Sequence, residues 1–215
     1  EGDSVKMTYT VPSNLVAVGN GKLRSVKNIG EKTSYEWFVS NPINNYNISV
    51  QIGNYVAVQD TFIKDNQTHF MNHYVLDYNK ELASNFFPQS KEVIRFYEKY
   101  FGDYQWYEDG YKLIEVPYLG MEHQSAVTYG NGFSMYNGVR SKSWPMYGVI
   151  DPLIIHETGH EWFGNSVTAS DPTHIWIHEG LQVYSESIYF EDKFNSYEVG
   201  VHYLNTIKNR IVNEI

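Results

Sequence analysis

Residues 151–165 read DPLIIHETGHEWFGN, and residues 176–186 read WIHEGLQVYSE. Side chains four apart on a helix differ by about 40° in azimuth, so His156 and His160 turn their imidazoles to one point. Glu157 follows the first histidine by about 100° and flanks the pair. After eighteen intervening residues, Glu179 offers a third ligand. A chain of this composition contains an HExxH match by chance only about 0.02 times, and the fixed downstream Glu lowers that further. Surface histidines with ordinary partners are therefore the weaker reading. His156, His160 and Glu179 make the three-ligand set of a catalytic Zn²⁺, with a fourth position left open. Cobalt or manganese would suit similar donors. Zinc acidifies a bound water and polarises a carbonyl, and Glu157 would accept the water's proton and pass it to a departing amine. The expected reaction is peptide-bond hydrolysis.

Asp151 and Pro152 read as an N-cap and a first-turn proline, and Gly164 with Asn165 as a stop, which predicts a helix from about Pro152 to Phe163. Gly159 inside it implies close packing against another backbone. Trp162 and Phe163 are expected to pack beneath it. A second helix is predicted from about His178 to Asp192. Glu186 lies seven residues after Glu179, within about 20° of two full turns, where it could accept a hydrogen bond from a ligating histidine. A solvated helix acid is the alternative. His69 and His73 are also four apart, but no base follows the first, and their surroundings favour a strand. His174 and His178 flank Ile175–Trp176–Ile177, which reads as a buried approach to the second helix.

With HETGH, EWFGN and WIHEGLQVYSE in place, the chain resembles the gluzincin metallopeptidases, specifically the M1 aminopeptidase family. Met121 and Glu122 in PYLGMEHQSAVTYGN match the core of that family's GxMEN signature. The resemblance implies that His156, His160 and Glu179 bind zinc, that Glu157 is the catalytic base, and that Glu122, with Gly120 and Met121, binds the free α-amine of a peptide. Substrates would be peptides with a free N-terminus, because an internal peptide lacks the ammonium group that a pocket carboxylate pairs with. The GMEHQ segment reads as an edge strand continuing through Ser125 to Tyr129, a surface for an extended peptide. The family also places an acid at Glu186. Four positions depart from its pattern: Leu119 stands for Gly, His123 for Asn, His178 for Asn and Glu161 for Gln. The family's transition-state tyrosine lies well beyond the Glu helix, so the 215 residues are expected to be part of a longer enzyme, binding zinc but turning over aminoacyl substrates slowly. A thermolysin-type endopeptidase, or a binding module that keeps the zinc site without catalysis, is the alternative. Glu122 discriminates the first, and an intact base and ligand set speaks against the second.

The expected fold class is α+β: residues 1–62 as the end of an antiparallel amino-terminal β-domain, and 63–215 as part of a thermolysin-like catalytic domain. Tyr35–Val39, Ile48–Ile52 and Tyr55–Gln59 read as strands, and Asn20–Gly21 as a hairpin turn. Ser90 is expected to cap a helix ending near Gly102, burying Val93, Ile94, Tyr97, Tyr100 and Phe101. Tyr111–Val116 reads as a strand. A net charge of −9 without a basic run argues against nucleic acid. The chain lacks cysteine, which excludes disulfides and thiolate metal sites. No apolar stretch reaches membrane-spanning length. The start at Glu1, without Met or a signal segment, points to processing or trimming. The compartment stays open, because similar enzymes occur inside cells, in the periplasm and at cell surfaces, with a lean towards outside the cytoplasm.

Overall fold

The computed structural model describes residues 2–133 and 150–208. Its elements are β1 (Val5–Pro12), β2 (Val16–Gly19), β3 (Lys22–Ile29), β4 (Lys32–Val39), β5 (Val50–Gly53), β6 (Tyr55–Lys64), β7 (Gln67–Leu76), α1 (Lys80–Phe86), α2 (Gln89–Phe101), β8 (Leu113–Glu115), β9 (Gly120–Met121), β10 (Val127–Tyr129), α3 (Pro152–Gly159), α4 (Trp176–Phe194) and α5 (Tyr197–Lys208). The strands form three sheets, ordered β1-β4-β3, β2-β5 and β6-β7-β8-β10-β9. The architecture is α+β, as expected, and no helix among the described residues is long and apolar enough to cross a membrane.

The three strands expected near the amino terminus are present as β4, β5 and β6. Asn20–Gly21 is not a hairpin. β2 pairs with β5 and β3 with β4, so these two residues carry the chain from one sheet to another. Local turn chemistry loses here to distant partners: Asn20 is fully buried, and its amide bonds to segments 27 and 104 residues away. A two-residue hairpin does occur at Asp65–Asn66, where φ is 49° and 62°, the pair of positive values that a type I′ turn needs between β6 and β7. The composition shift near residue 62 falls inside β6, which pairs with β7 without a break from Tyr55 to Lys64. Histidines 69 and 73 lie on β7, as the strand reading expects. Buried His73 accepts a hydrogen bond from Leu113 N–H at Nδ1 (2.9 Å), and burial lowers its pKa to about 3.

Among the described residues, two apolar clusters form the core. One joins Met7, Val18, Trp37 and Val39 near the amino terminus to Ile114 of β8 and Ala126 just before β10, so the seam between the sheets is core rather than surface. The larger one packs α1, α2, α3 and α4 on the five-stranded sheet. In α2 the buried face is Val93, Ile94, Phe96 and Tyr97, while Tyr100 is 44% exposed. Ser90 sits one residue inside the helix, and its hydroxyl donates to Phe87 O instead of capping.

α3 begins as expected, with the Asp151 carboxylate accepting from Leu153 N–H (2.8 Å) and Pro152 in the first turn. It ends at Gly159, four residues short of Phe163. Glu161 and Trp162 there bond three residues back, to Thr158 O and Gly159 O, which tightens the last turn out of α-helical pitch. Trp162 packs beneath it, stacked on Tyr97 at 5.0 Å. Gly159 is crowded by side chains and not by the backbone that its sequence setting implies: an added Cβ would lie 2.1 Å from Tyr97 Oη and 2.3 Å from Gln182 Oε1. Both neighbours are fixed, because Gln182 Nε2–H donates to Tyr97 Oη and Tyr97 Oη also bonds Ser185 Oγ. Gly159→Ala is expected to destabilise the fold by about 1–3 kcal/mol, an overpacking cost read from urea unfolding. α4 is longer than predicted at both ends. Ile175 and Trp176 at its entry are 50% and 60% exposed, so the expected buried approach is instead an outer face of the described residues.

Candidate metal centre and its surroundings

α3 and the first turn of α4 bring three ligand atoms together. His156 Nε2 and His160 Nε2 are 3.2 Å apart, and the Glu179 carboxylate oxygens lie 3.5 Å from His156 Nε2 and 3.7 Å from His160 Nε2. A tetrahedral zinc with bonds of about 2.0–2.1 Å requires ligand separations of about 3.3 Å, so the triangle has the right size. The outer ring nitrogens are already committed. His156 Nδ1–H donates to Glu186 Oε1 (2.7 Å), and His160 Nδ1–H donates to Phe163 O (2.8 Å). With each Nδ1 engaged on the outer side, Nε2 is the atom that each ring turns toward the shared point, where a cation could take the place of a proton. Glu186, 1% exposed, lies beside the His156 ring, on the helix face expected from its seven-residue interval after Glu179.

The electrostatics favour positive charge at this point. Burial alone would lower the His156 pKa, but hydrogen bonds to Glu179 and Glu186 carry it well above the usual imidazole range. His160 is held below that range by burial and by the charge of His156. Glu179 keeps 51% of its side chain exposed, which leaves the outer side of the triangle open.

Glu157 lies on the inner side, 7% exposed. Burial pushes its carboxyl up to about 8; His156 opposes this, while the Glu122, Glu179 and Glu186 charges add to it. A divalent cation nearby pulls the other way. Gly120 backs directly onto it: a Cβ there would stand 2.7 Å from Glu157 Oε1. Glu122, Glu157 and His160 form a second cluster, with ligand atoms all within 4.8 Å of one another. Glu122 is 7% exposed, and no described residue gives its carboxylate a hydrogen bond or an ion pair.

β9 is the edge strand of the five-stranded sheet, as expected, but only Gly120 and Met121 belong to it. The strand does not run on through Ser125. The chain reverses there, with Ser125 at φ 58° and Ala126 N–H donating to His123 O, and returns antiparallel as β10. Residues whose importance the sequence did not announce hold this reversal. Asn165 Nδ2–H donates to Glu122 O (3.0 Å) and to Glu161 Oε2 (3.1 Å), and Glu161 Oε1 accepts from Ser125 N–H (2.7 Å). Burial pushes the Glu161 carboxyl up to about 7 against those hydrogen bonds and the charge of Lys112. Tyr46, from the turn Asn45–Asn47, stacks on His178 with ring centroids 6.1 Å apart. His178 Nε2 accepts from Ala169 N–H (2.9 Å), so this histidine braces the loop before α4. EWFGN contained Glu161 and Asn165, but spacing alone gave Asn165 only the role of a helix stop.

The chain is similar to several known proteins. The sequence profile of the "Peptidase family M1 domain" matches residues 85–214. Aminopeptidase M1-D of Oryza sativa subsp. japonica is 22% identical over 204 residues, covering 94% of this chain and 23% of that protein. Endoplasmic reticulum aminopeptidase 2 of Homo sapiens is 30% identical over 123 residues, covering 54% of this chain and 12% of that protein. The chain thus spans about a quarter, or less, of the length of the curated relatives it matches. The crystal structure of an M1 zinc metallopeptidase from Deinococcus radiodurans superposes with a TM-score of 0.78 at 16% identity, covering 99% of this chain and 46% of that one, which shows a shared fold. The profile match extends over more than half of the 215 residues and contains the whole HETGH-to-Glu179 span, so the chain belongs to peptidase family M1.

Proposed function

We propose that this chain carries the zinc and amine-binding centre of an aminopeptidase. His156, His160 and Glu179 would hold the ion through Nε2, Nε2 and the carboxylate. Zinc bound there supplies Lewis-acid polarisation of the scissile carbonyl and lowers the pKa of water toward about 7. Glu157 takes a proton from water at its carboxylate as the hydroxyl adds to the carbonyl carbon, then returns it to the amine nitrogen as the C–N bond breaks. Glu186 orients His156 through the 2.7 Å bond to Nδ1. Glu186→Ala is expected to weaken zinc binding about 10–100-fold, measured by competition with a chromogenic chelator.

One observation carries the exopeptidase reading: a carboxylate, Glu122, buried beside Glu157 and His160 and without a cationic partner among the described residues. Such a group is stable when a ligand brings the positive charge, and a peptide's α-ammonium does so. The edge backbone of Gly120 and Met121 offers main-chain hydrogen bonds to the same peptide, with little demand on its side chains. We divide the chain into the end of an amino-terminal β-unit, closing at β5, and the start of a catalytic unit that begins with β6. The zinc-loaded chain is expected to cleave a short peptide with a free N-terminus faster than its N-acetylated form. Equal rates would favour an endopeptidase, and tight zinc binding with no cleavage of either would favour a binding module.

A further inference from the structure

We propose that Asn20, in the amino-terminal β-unit and 102 residues before Glu122, is a positioning residue for amine recognition. The inference rests on the reading of Glu122 as the amine-binding carboxylate. Asn20 is fully buried and uses its whole amide. Its Nδ2 donates to Asn47 O (2.9 Å) and to Gln124 O (2.7 Å), and its Oδ1 accepts from Ser49 N–H (2.8 Å). Next to it, Gly21 N–H donates to Ser125 Oγ (2.9 Å), and Lys112 Nζ donates both to Gly21 O (2.8 Å) and to Ser125 O (2.7 Å).

Glu122, Gln124 and Ser125 belong to one reversal, so its backbone is clamped from two sides. Glu161 and Asn165 hold it from the zinc helix, and the Asn20–Gly21 corner holds it from the β-unit. This explains why that corner is not a hairpin: its hydrogen-bonding groups serve the reversal instead. The geometry also fixes the residue types. Aspartate at position 20 would set an oxygen against two carbonyls, and alanine would remove the Asn20 bond from two buried carbonyls and from the half-buried Ser49 N–H. At Gly21 a Cβ would stand 2.1 Å from Phe38 O, so the corner admits no side chain. Because a misplacement of about 1 Å can cost about 10²-fold in a positioned interaction, loosening Gln124 O should be felt at Glu122.

The test compares leucine hydroxamate with its N-acetyl derivative, binding to the zinc-loaded chain by calorimetry. The pair shares the metal-binding group and differs in the free amine. The unsubstituted chain is expected to prefer the free amine, and Asn20→Ala and Asn20→Asp to lose tenfold or more of that preference while the N-acetyl affinity moves less than twofold. A purely structural role would weaken both ligands together and leave the ratio alone. Retention of the ratio in folded, zinc-loaded Asn20→Ala overturns the proposal. No preference in the unsubstituted chain instead overturns the Glu122 reading, and this proposal with it. If Asn20→Ala does not fold, Ser125→Ala breaks only the Gly21 link; a severalfold loss of the ratio supports the clamp, and an unchanged ratio overturns it.

Discussion

Glu157→Gln is expected to lower hydrolysis of an aminoacyl anilide by about 10²–10⁴-fold, the span of general acid–base catalysis, while the chain still binds one zinc. The separation of these effects follows from the geometry. Glu179, not Glu157, closes the triangle with His156 and His160 at 3.5 and 3.7 Å, so the amide change leaves the three ligand atoms in place. Glutamine also fits. The absence of a side chain at Gly120 leaves room beside the Glu157 carboxyl, and the exchange alters neither length nor branching. What is lost is proton affinity, at a buried acid that lies beside His160 and against the Gly120 edge. Glu122, Glu157 and His160 form a competing cluster, and the same experiment decides between the two. Zinc loss in Glu157→Gln together with zinc retention in Glu179→Gln would exchange the roles of base and ligand.

The site was largely legible in the sequence because helical periodicity is a strict ruler. His156, His160 and Glu157 share a helix, and Glu179 and Glu186 share another, so their relative directions follow from rise and rotation alone. Even the hydrogen bond from His156 to Glu186 was implied by a seven-residue interval. Contacts between elements were not. Nothing local distinguishes Asn20 from an ordinary turn asparagine, and its partners at Asn47, Ser49 and Gln124 lie far along the chain. Gly159 shows the same divide. Sequence located the crowding, but Tyr97 from α2 and Gln182 from α4 cause it. The β9–β10 reversal was missed because its driver, a Ser125 φ of 58°, is held by Glu161, Lys112 and Gly21 rather than by glycine or asparagine at that position.

Glu122→Gln is expected to cut kcat/KM for a free N-terminal peptide by about 10–150-fold, equivalent to about 1.5–3 kcal/mol for a hydrogen bond to a charged group, and to leave the N-acetylated peptide unaffected. Glutamine preserves the side chain's shape, so the loss isolates its charge. The effect has a direction in pH as well. A peptide α-amine titrates near about 7.7–8.0, so the unsubstituted chain should favour free amines most below that value and lose the preference as pH rises and the amine becomes neutral. In Glu122→Gln the ratio of free to blocked rates should be small and flat over the same interval. Taking the ratio at each pH divides out the titration of Glu157 and of the zinc centre, which act on both substrates alike. A ratio that keeps its size and slope after the substitution would remove Glu122 from amine recognition and return the centre to an endopeptidase reading.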